Sequence, residues 1–256
     1  SGTGVLAYES SHPQFASINS STGLVTLVSS GTTTITVNMA ASADGLYTAA
    51  GPVSTQLVVS RQSIQWIQLG SEIDGEAPLD QSGISVSLSS DGTTLAIGAI
   101  HNDANGDNSG HVRVYKYNPD KKDPQLNQSL EGFGPARWDR LGADIDGEAP
   151  SDFHGWSVSL SSNGNILAIG ASYNDGNGTD SGHVRVYTRD SNVPLGWRQL
   201  GEDIDGEAAA DYNGQSVSLS SDGNTLAIGA YFNDGNGTNS GHVRVYKLEY
   251  KTVPTL

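Results

Sequence analysis

The chain has 256 residues, of which 36% are hydrophobic, and it contains 32 glycines and no cysteine. Its 28 acidic residues against 13 lysines and arginines give a net charge of −15, which excludes the basic surface that nucleic-acid binding needs. The lack of cysteine excludes disulfides and thiol chemistry, and no apolar run reaches the ~18 residues of a membrane-spanning helix.

Residues 1–60 predict an all-β unit. Five segments rich in Thr, Val, Ser and Ile alternate with turns, and frequent short strands indicate a β-sandwich. The string YESSHPQFASINSSTGLVTLVSSGTTTITV resembles the bacterial immunoglobulin-like modules of group 2, which act as spacers and adhesive stalks. Such modules start one or two strands before this string. The resemblance therefore implies an incomplete immunoglobulin-like sandwich with an open edge.

Residues 64–248 contain one unit three times. The copies begin at Trp66, Trp138 and Trp197, so the spacing is 72 and then 59 residues. Extra residues between Asn118 and Arg137 account for the longer first period and predict a long surface loop. Self-similarity at a fixed period is typical of repeat architectures.

Each copy predicts four strands. In the first copy, residues 85–89, 94–99 and 111–115 alternate with period two, and the WxxLG segment at the start supplies another strand. Asp91-Gly92 predicts a tight hairpin turn, because glycine tolerates the positive φ that such turns need. The pattern and the repeat length predict the four-stranded antiparallel sheet of a propeller blade.

The segments SVSLSSDGTTLAIGA and SGHVRVY resemble the FG-GAP repeats of integrin-α-type β-propellers. The resemblance implies three propeller-like sheets after the immunoglobulin-like unit. The sheets either close a ring of three, with residues 66–70 completing the last sheet, or form half of a six-bladed ring made by two chains. The calcium loop DxDxDGxxD of integrin blades is not present in that form, and DIDGEAPSD stands there in the second copy.

The loop after the third predicted strand recurs as NDANGDNSG, NDGNGTDSG and NDGNGTNSG. Its alternating oxygen-bearing side chains resemble the start of an EF-hand-like calcium loop. The alternative is that Asn, Asp and Gly only build a long turn. The candidate calcium ligands are Asp103, Asn105, Asp107, Asp175, Asn177, Thr179, Asp234, Asn236 and Thr238.

Other repeated polar residues allow two interpretations each. Asp146, Glu148 and Asp152 of the second copy either ligate calcium between sheets or close turns. The histidines of the three SGHVRVY segments either converge on a metal or bond to neighbouring turns. The arginines of the same segments either bind sugars beside their tyrosines or pair with the many acidic residues.

No nucleophile–base pair, GxSxG segment or phosphate-binding loop stands out, so the sequence predicts a protein that is not an enzyme. The repeats and the immunoglobulin-like spacer favour an extracellular or cell-surface structural protein, an adhesive protomer of a fibre. The alternative is a carbohydrate-binding, lectin-like repeat module.

Residues 249–256 form a polar tail that resembles the lead-in to an immunoglobulin-like module. The tail of one chain would complete the open edge of the next, and such head-to-tail contacts build filaments. Asn19, Asn127, Asn177 and Asn236 begin N-x-Ser/Thr sequences, which predict N-glycosylation.

Overall fold

The structure, a computed structural model, describes residues 5–41, 48–60, 64–122 and 136–250. All regular secondary structure in these ranges is β-strand, and none of it forms a helix that could cross a membrane. The chain divides into two compact units, Ser1–Ile67 and Gln68–Leu256. Asn127 and residues 251–256 of the predicted tail lie outside the described residues.

The first unit contains one sheet and one hairpin. The antiparallel sheet has the order β1-β4-β5, and β2 pairs with β3. The strands are β1 (Leu6–Ser10), β2 (Ala16–Ile18), β3 (Val25–Leu27), β4 (Gly31–Met39) and β5 (Ala50–Val59). The five predicted strands are therefore present, but a complete immunoglobulin-like sandwich is not shown within the described residues.

The second unit contains three antiparallel sheets, one for each copy of the repeat. The first consists of β6 (Ser85–Leu88), β7 (Thr94–Ala99), β8 (His111–Lys122), β9 (Ala136–Arg140) and β10 (Ile145–Asp146). The second consists of β11 (Ser157–Leu160), β12 (Ile166–Ala171), β13 (His183–Arg189), β14 (Trp197–Gln199) and β15 (Ile204–Asp205). The third consists of β16 (Ser216–Leu219), β17 (Thr225–Ala230) and β18 (His242–Lys247).

The outer strand of a sheet comes from the following copy of the repeat. The WxxLG strand β9 pairs with β8, so that Trp138 lies opposite Tyr117, and β14 pairs with β13, so that Trp197 lies opposite Arg189. The third sheet has only three strands among the described residues. Residues 66–70 form no strand, and the side chain of Trp66 is fully exposed. The expected closing strand is therefore not shown.

Apolar side chains hold neighbouring sheets together. Val112 and Val114 of β8 lie in one buried cluster with Val158, Leu160 and Ile169 of the next sheet. The equivalent residues form a second cluster between the second and third sheets. Alternation along each strand places the valines on this face, and burial of such side chains contributes about 1.5–3 kcal/mol each.

The two ends of the row of sheets remain open. Val86 and Leu88 of the first sheet are 62% and 56% exposed, and Val243 and Val245 of the third are 68% and 66% exposed. These residues are equivalent to the ones that pack between neighbouring sheets. Within the described residues, the three sheets therefore do not close a ring with one another.

Backbone contact between sheets depends on one glycine in each middle strand. A Cβ on Gly98 would lie 2.1 Å from the carbonyl oxygen of Gly155, and a Cβ on Gly170 would lie 2.1 Å from that of Gly214. The same carbonyls accept hydrogen bonds from Ser85 and Ser157 at 2.6 and 2.7 Å. The glycines thus allow the sheets to approach closely enough for serines to bridge them.

We expect Gly170→Ala to lower the free energy of unfolding by about 1–3 kcal/mol, because the new methyl group would displace the neighbouring backbone. Gly229→Ala is the matched control, since its Cβ would approach only the hydroxyl of Ser216 in its own sheet, at 2.4 Å. Chemical denaturation at low protein concentration measures both. Equal losses of stability in the two variants would contradict this role of the glycine.

Candidate functional site

Seven aromatic side chains form a continuous row across the three sheets, here called the aromatic strip. They are His101, Phe153, Trp156, Tyr173, Tyr212, Tyr231 and Phe232. They occupy two places in the repeat: directly before the loop that begins Asn-Asp in all three copies, and in the turn before the SVSL strand in the second and third copies. None of the seven is fully buried, so their rings reach solvent.

Ring contacts connect the strip from sheet to sheet. The rings of Phe153 and Tyr173 have centroids 4.9 Å apart, and Tyr173 lies 5.0 Å from Tyr212 of the next copy. Tyr212 in turn lies 5.8 Å from Tyr231 and 5.4 Å from Phe232. Most of these contacts are edge-to-face, an arrangement that aromatic pairs favour, and this ordering keeps the rings in a fixed surface.

Two residues of the aromatic strip have a left-handed backbone conformation. Phe153 has φ 53° and Tyr212 has φ 54°, a conformation that is unfavourable for bulky residues. Their amides donate to the carbonyl oxygens of Asn108 and Asp180, both at 3.1 Å, and so attach the turn to the preceding sheet. Such strain costs about 1–3 kcal/mol per residue and often occurs at functional sites.

Hydroxyl and amide groups border the rings. The hydroxyl of Tyr212 lies 3.5 Å from a carboxylate oxygen of Asp180, and His101 Nδ1 lies 2.5 Å from Asn108 Oδ1. Desolvation raises the pKa of Tyr173 and of Tyr212 above the ordinary tyrosine value. Both hydroxyls are therefore protonated at neutral pH and can donate or accept hydrogen bonds.

The strip was not predicted from the sequence. The available signal was that two positions of the repeat differ among the three copies and carry ring side chains in at least two of them. Gln81, Phe153 and Tyr212 are equivalent, as are His101, Tyr173 and Phe232. Sequence alone did not show that these two sets lie next to one another.

The predicted calcium ligands take part in the folding of their loops. Asp103 Oδ1 accepts a hydrogen bond from the amide of Asn108 at 2.7 Å, and Asn105 donates to the carbonyl oxygen of Gly147 at 2.8 Å. Asp175 and Asn177 make the equivalent bonds in the second copy. Asp234 makes the first of them in the third copy, at 2.6 Å.

The remaining predicted ligands contribute main-chain contacts or lie on the surface. The carbonyl oxygens of Asp107 and Thr179 accept amide hydrogen bonds from the next copy, both at 2.8 Å. Asn236 and Thr238 are exposed. These bonds account for the loop sequence by turn geometry, and calcium binding at these residues stays a prediction.

The arginines of the SGHVRVY segments pair with carboxylates. Arg185 donates two hydrogen bonds to Asp203, at 2.9 and 2.7 Å, and also contacts Glu148. Bonding by Arg185 lowers the pKa of Asp203 below its ordinary value. The first sheet repeats this arrangement with Arg113, Asp144 and Glu76. These arginines are therefore engaged within the fold, as one of the two interpretations of the sequence expected.

Each of these two clusters also contains a buried histidine. His183 Nδ1 lies 3.7 Å from Glu148 Oε1 and 3.8 Å from Asp203 Oδ2, and His111 occupies the equivalent position in the first sheet. The donor atoms are close enough together to hold a metal ion. However, the guanidinium of Arg185 already neutralises the same carboxylates. His111 and His183 also belong to separate clusters, so they do not converge on one ion.

The predicted glycosylation sites differ in their surroundings. Asn19 is exposed, and its side-chain oxygen accepts hydrogen bonds from the amides of Ser21 and Thr22. Asn236 is also exposed, whereas the side-chain nitrogen of Asn177, the atom that would carry a glycan, donates to Gly206. Modification of these residues stays a prediction.

The FG-GAP repeat family matches residues 74–115, 143–187 and 204–246, together just over half of the chain. The chain therefore belongs to the FG-GAP repeat family. Repeats of this family are typical of extracellular or periplasmic proteins. No curated protein matches the chain.

Three solved structures are among those similar to this chain. A protein of Bacteroides uniformis described as a 6-phosphogluconolactonase has 12% identity and a TM-score of 0.41, and it covers 91% of this chain. The periplasmic gluconolactonase of Pseudomonas aeruginosa has 15% identity and a TM-score of 0.38, and it covers 96% of this chain. The hydrazine synthase of Kuenenia stuttgartiensis has 12% identity and a TM-score of 0.34, and it covers 85% of this chain. The chain spans 60%, 50% and 55% of these three structures.

From the lack of catalytic motifs, the sequence predicted that the chain is not an enzyme, and this prediction is wrong. Two of the similar structures are named as lactonases, and the chain lacks the catalytic motifs on which the deduction depended. A short motif identifies one mechanism, so its absence excludes only that mechanism. Likenesses with TM-scores below 0.5 assign no activity to this chain.

We expect stability to fall as the pH decreases from 7 to 5. Burial lowers the pKa of His111, His154 and His183 below the ordinary value of 6.5, so these residues are neutral in the folded state. Below pH 6.5 the unfolded chain binds protons that the folded chain does not, which favours unfolding. Thermal melting between pH 8 and pH 5 measures the effect.

His154→Leu should reduce this pH dependence, because it removes a completely buried imidazole. His12→Gln is the control, since His12 is exposed. A melting temperature that stays constant from pH 8 to pH 5 would rule out the histidines as the cause.

Proposed function

We propose that this is an extracellular adhesive repeat protein that binds carbohydrate through the aromatic strip. The observation that carries the proposal is the row of solvent-reaching rings ordered by contacts 4.9 to 5.8 Å long across the second and third sheets. A contiguous exposed apolar patch indicates an interaction site. Sugar rings present apolar C–H faces and hydroxyl groups, so a surface of aromatic faces bordered by hydroxyls and amides suits them.

The charge of the chain favours a neutral ligand. The net charge is −15, and Asp175 and Asp234 follow Tyr173 and Phe232 by two residues each. A negative field repels sulfated or sialylated glycans and disfavours their association. Neutral oligosaccharides are therefore the expected class, and the length of the strip suits several sugar units rather than one.

A second candidate is a fibre protomer that assembles through the sheet of the first unit. Among the described residues no strand pairs with the outer edge of β5, a strand of ten residues. Val53 and Val58 of β5 are 71% and 65% exposed. A long, uncharged edge is a template for strand addition from another chain, which supports head-to-tail assembly.

On a glycan array, we expect binding to neutral oligosaccharides and weak signals for anionic ones. Tyr173→Ala and Tyr212→Ala should each lower the affinity about ten-fold or more, because truncation of an aromatic hot spot costs about 2 kcal/mol. Tyr250→Ala is the matched control, since Tyr250 is 85% exposed and lies outside the strip. Binding that all three variants retain would exclude the strip as the site.

For the second candidate, we expect fibres of the full chain in electron micrographs and their loss when Val53 and Val58 are both replaced by lysine. Lysines on a strand edge oppose pairing with another chain, whereas exposed positions tolerate them in the fold. Deletion of residues 249–256 should also abolish fibres if the tail is the added strand. Fibres that survive both changes, or their absence from the full chain, would contradict strand addition.

A further inference from the structure

A cavity of about 240 Å³ opens beside the third sheet. Its apolar lining comes from Val186, Leu200 and Ile204 of the second sheet and its connection, and from Leu226 and Tyr246 of the third. The cavity thus lies where the outer strand of the third sheet would run. It contacts none of the rings of the aromatic strip.

One sheet earlier, the equivalent residues enclose Trp197. This side chain is 1% exposed and lies in the buried cluster that contains Val114, Ile145, Leu167 and Tyr187. Its indole nitrogen donates to the carbonyl oxygen of Leu141 at 2.9 Å. The lining residues of the cavity are the same positions of the next copy, so the cavity has the shape and chemistry of a tryptophan site.

The first sheet confirms that this is a repeated contact. The indole nitrogen of Trp138 donates to the carbonyl oxygen of Leu69, again at 2.9 Å. In both cases the acceptor is the leucine of the preceding WxxLG segment. Leu200 is the third such leucine, and within the described residues no main-chain amide donates to its carbonyl oxygen. That oxygen can therefore accept from one further tryptophan that arrives with the same motif.

Trp66 begins the one WxxLG segment that does not complete a sheet. Its side chain is fully exposed, and so is that of Ile64, whereas the equivalent Trp197 and Leu195 belong to or pack against a buried cluster. Exposure of an indole and a large aliphatic residue two positions apart is unfavourable in water. This segment therefore has the sequence of the missing outer strand.

The Trp66 segment of the same chain does not fill this cavity. In each copy the tryptophan precedes the SVSL strand by 19 residues, so a bound Trp66 segment places the first sheet directly against the third. Yet Val86 of the first sheet and Val243 of the third are both more than 60% exposed. A second copy of the chain meets no such obstacle.

We propose that the cavity binds the Trp66 segment of a second copy of this chain. The indole N–H of Trp66 of the second copy donates to the carbonyl oxygen of Leu200 of the first. The amide N–H of Leu69 of the second copy donates to the carbonyl oxygen of Val245 of the first. The second bond reproduces the main-chain bonds from Leu141 to Val114 and from Leu200 to Val186, both 2.7 Å long. Two copies related by a twofold axis then satisfy both open ends, giving six sheets.

The backbone supports the same pairing. Gly98 and Gly170 contact the carbonyls of Gly155 and Gly214 in the following sheets, but no atom of another sheet lies within 4 Å of the Cβ position of Gly229 among the described residues. In the pair, Gly229 contacts the carbonyl oxygen of Gly83 of the second copy. Gly229→Ala therefore obstructs the pairing and spares the fold of the single chain.

Sedimentation of the full chain over a range of concentrations tests the proposal. The expected species has twice the 26.7 kDa of the chain. Trp66→Ala and Gly229→Ala should each weaken association about ten-fold or more, as loss of a central anchor does at interfaces. Leu24→Ala is the control, because Leu24 is an exposed apolar residue that takes no part in the proposed contact.

A mixture of the two variants adds a specific outcome. Trp66→Ala retains the cavity and Gly229→Ala retains the tryptophan, so the equimolar mixture should recover a pair held by one intact interface. A peptide of residues 64–75 should bind the cavity of Trp66→Ala, and the same peptide with alanine in place of Trp66 should not. A full chain that stays at 26.7 kDa, or a Trp66→Ala variant that associates like the unchanged protein, overturns the proposal.

Discussion

The close backbone approach between successive sheets is the constraint on which the rest of the second unit depends. It requires glycine in the middle strand, and it lets Ser85 and Ser157 reach the carbonyls of the next sheet. Only at this distance do the valines of one sheet interlock with the valine, leucine and isoleucine side chains of the next. The tryptophan site and the aromatic strip both cross this junction, so their geometry follows from the same spacing.

The charged residues near the junction pair with partners of opposite charge. This pairing explains how charged side chains can lie between the sheets of an acidic chain. Arg185 satisfies two carboxylates, and the adjacent His183 is kept neutral by burial, which lowers its pKa. Paired charges avoid the large cost of burying an isolated ion. The buried carboxylates of Asp80, Asp152 and Asp211 each accept a hydrogen bond from an asparagine side chain. The net charge of −15 still produces a field that selects against anionic ligands.

The repeat combines a uniform scaffold with varied surface positions. The strand sequences SVSL and HVRVY are identical in all three copies, because each must fit the same neighbours. The positions of Gln81, Phe153 and Tyr212 differ, although all three share the left-handed backbone. Variation is therefore concentrated where side chains meet solvent, and the adhesive function that we propose uses those positions.

The sequence by itself determined the all-β class, the three copies and their strands, because alternation and turn glycines are local signals. It also determined which faces are apolar. Only the tertiary structure decided that Phe153 and Tyr212 join one aromatic row, that Arg185 bridges two carboxylates, and that the indole of Trp197 is buried against Leu141. These features depend on contacts between residues 18 to about 60 positions apart, and the distance between sheets, which no local pattern encodes, fixes them.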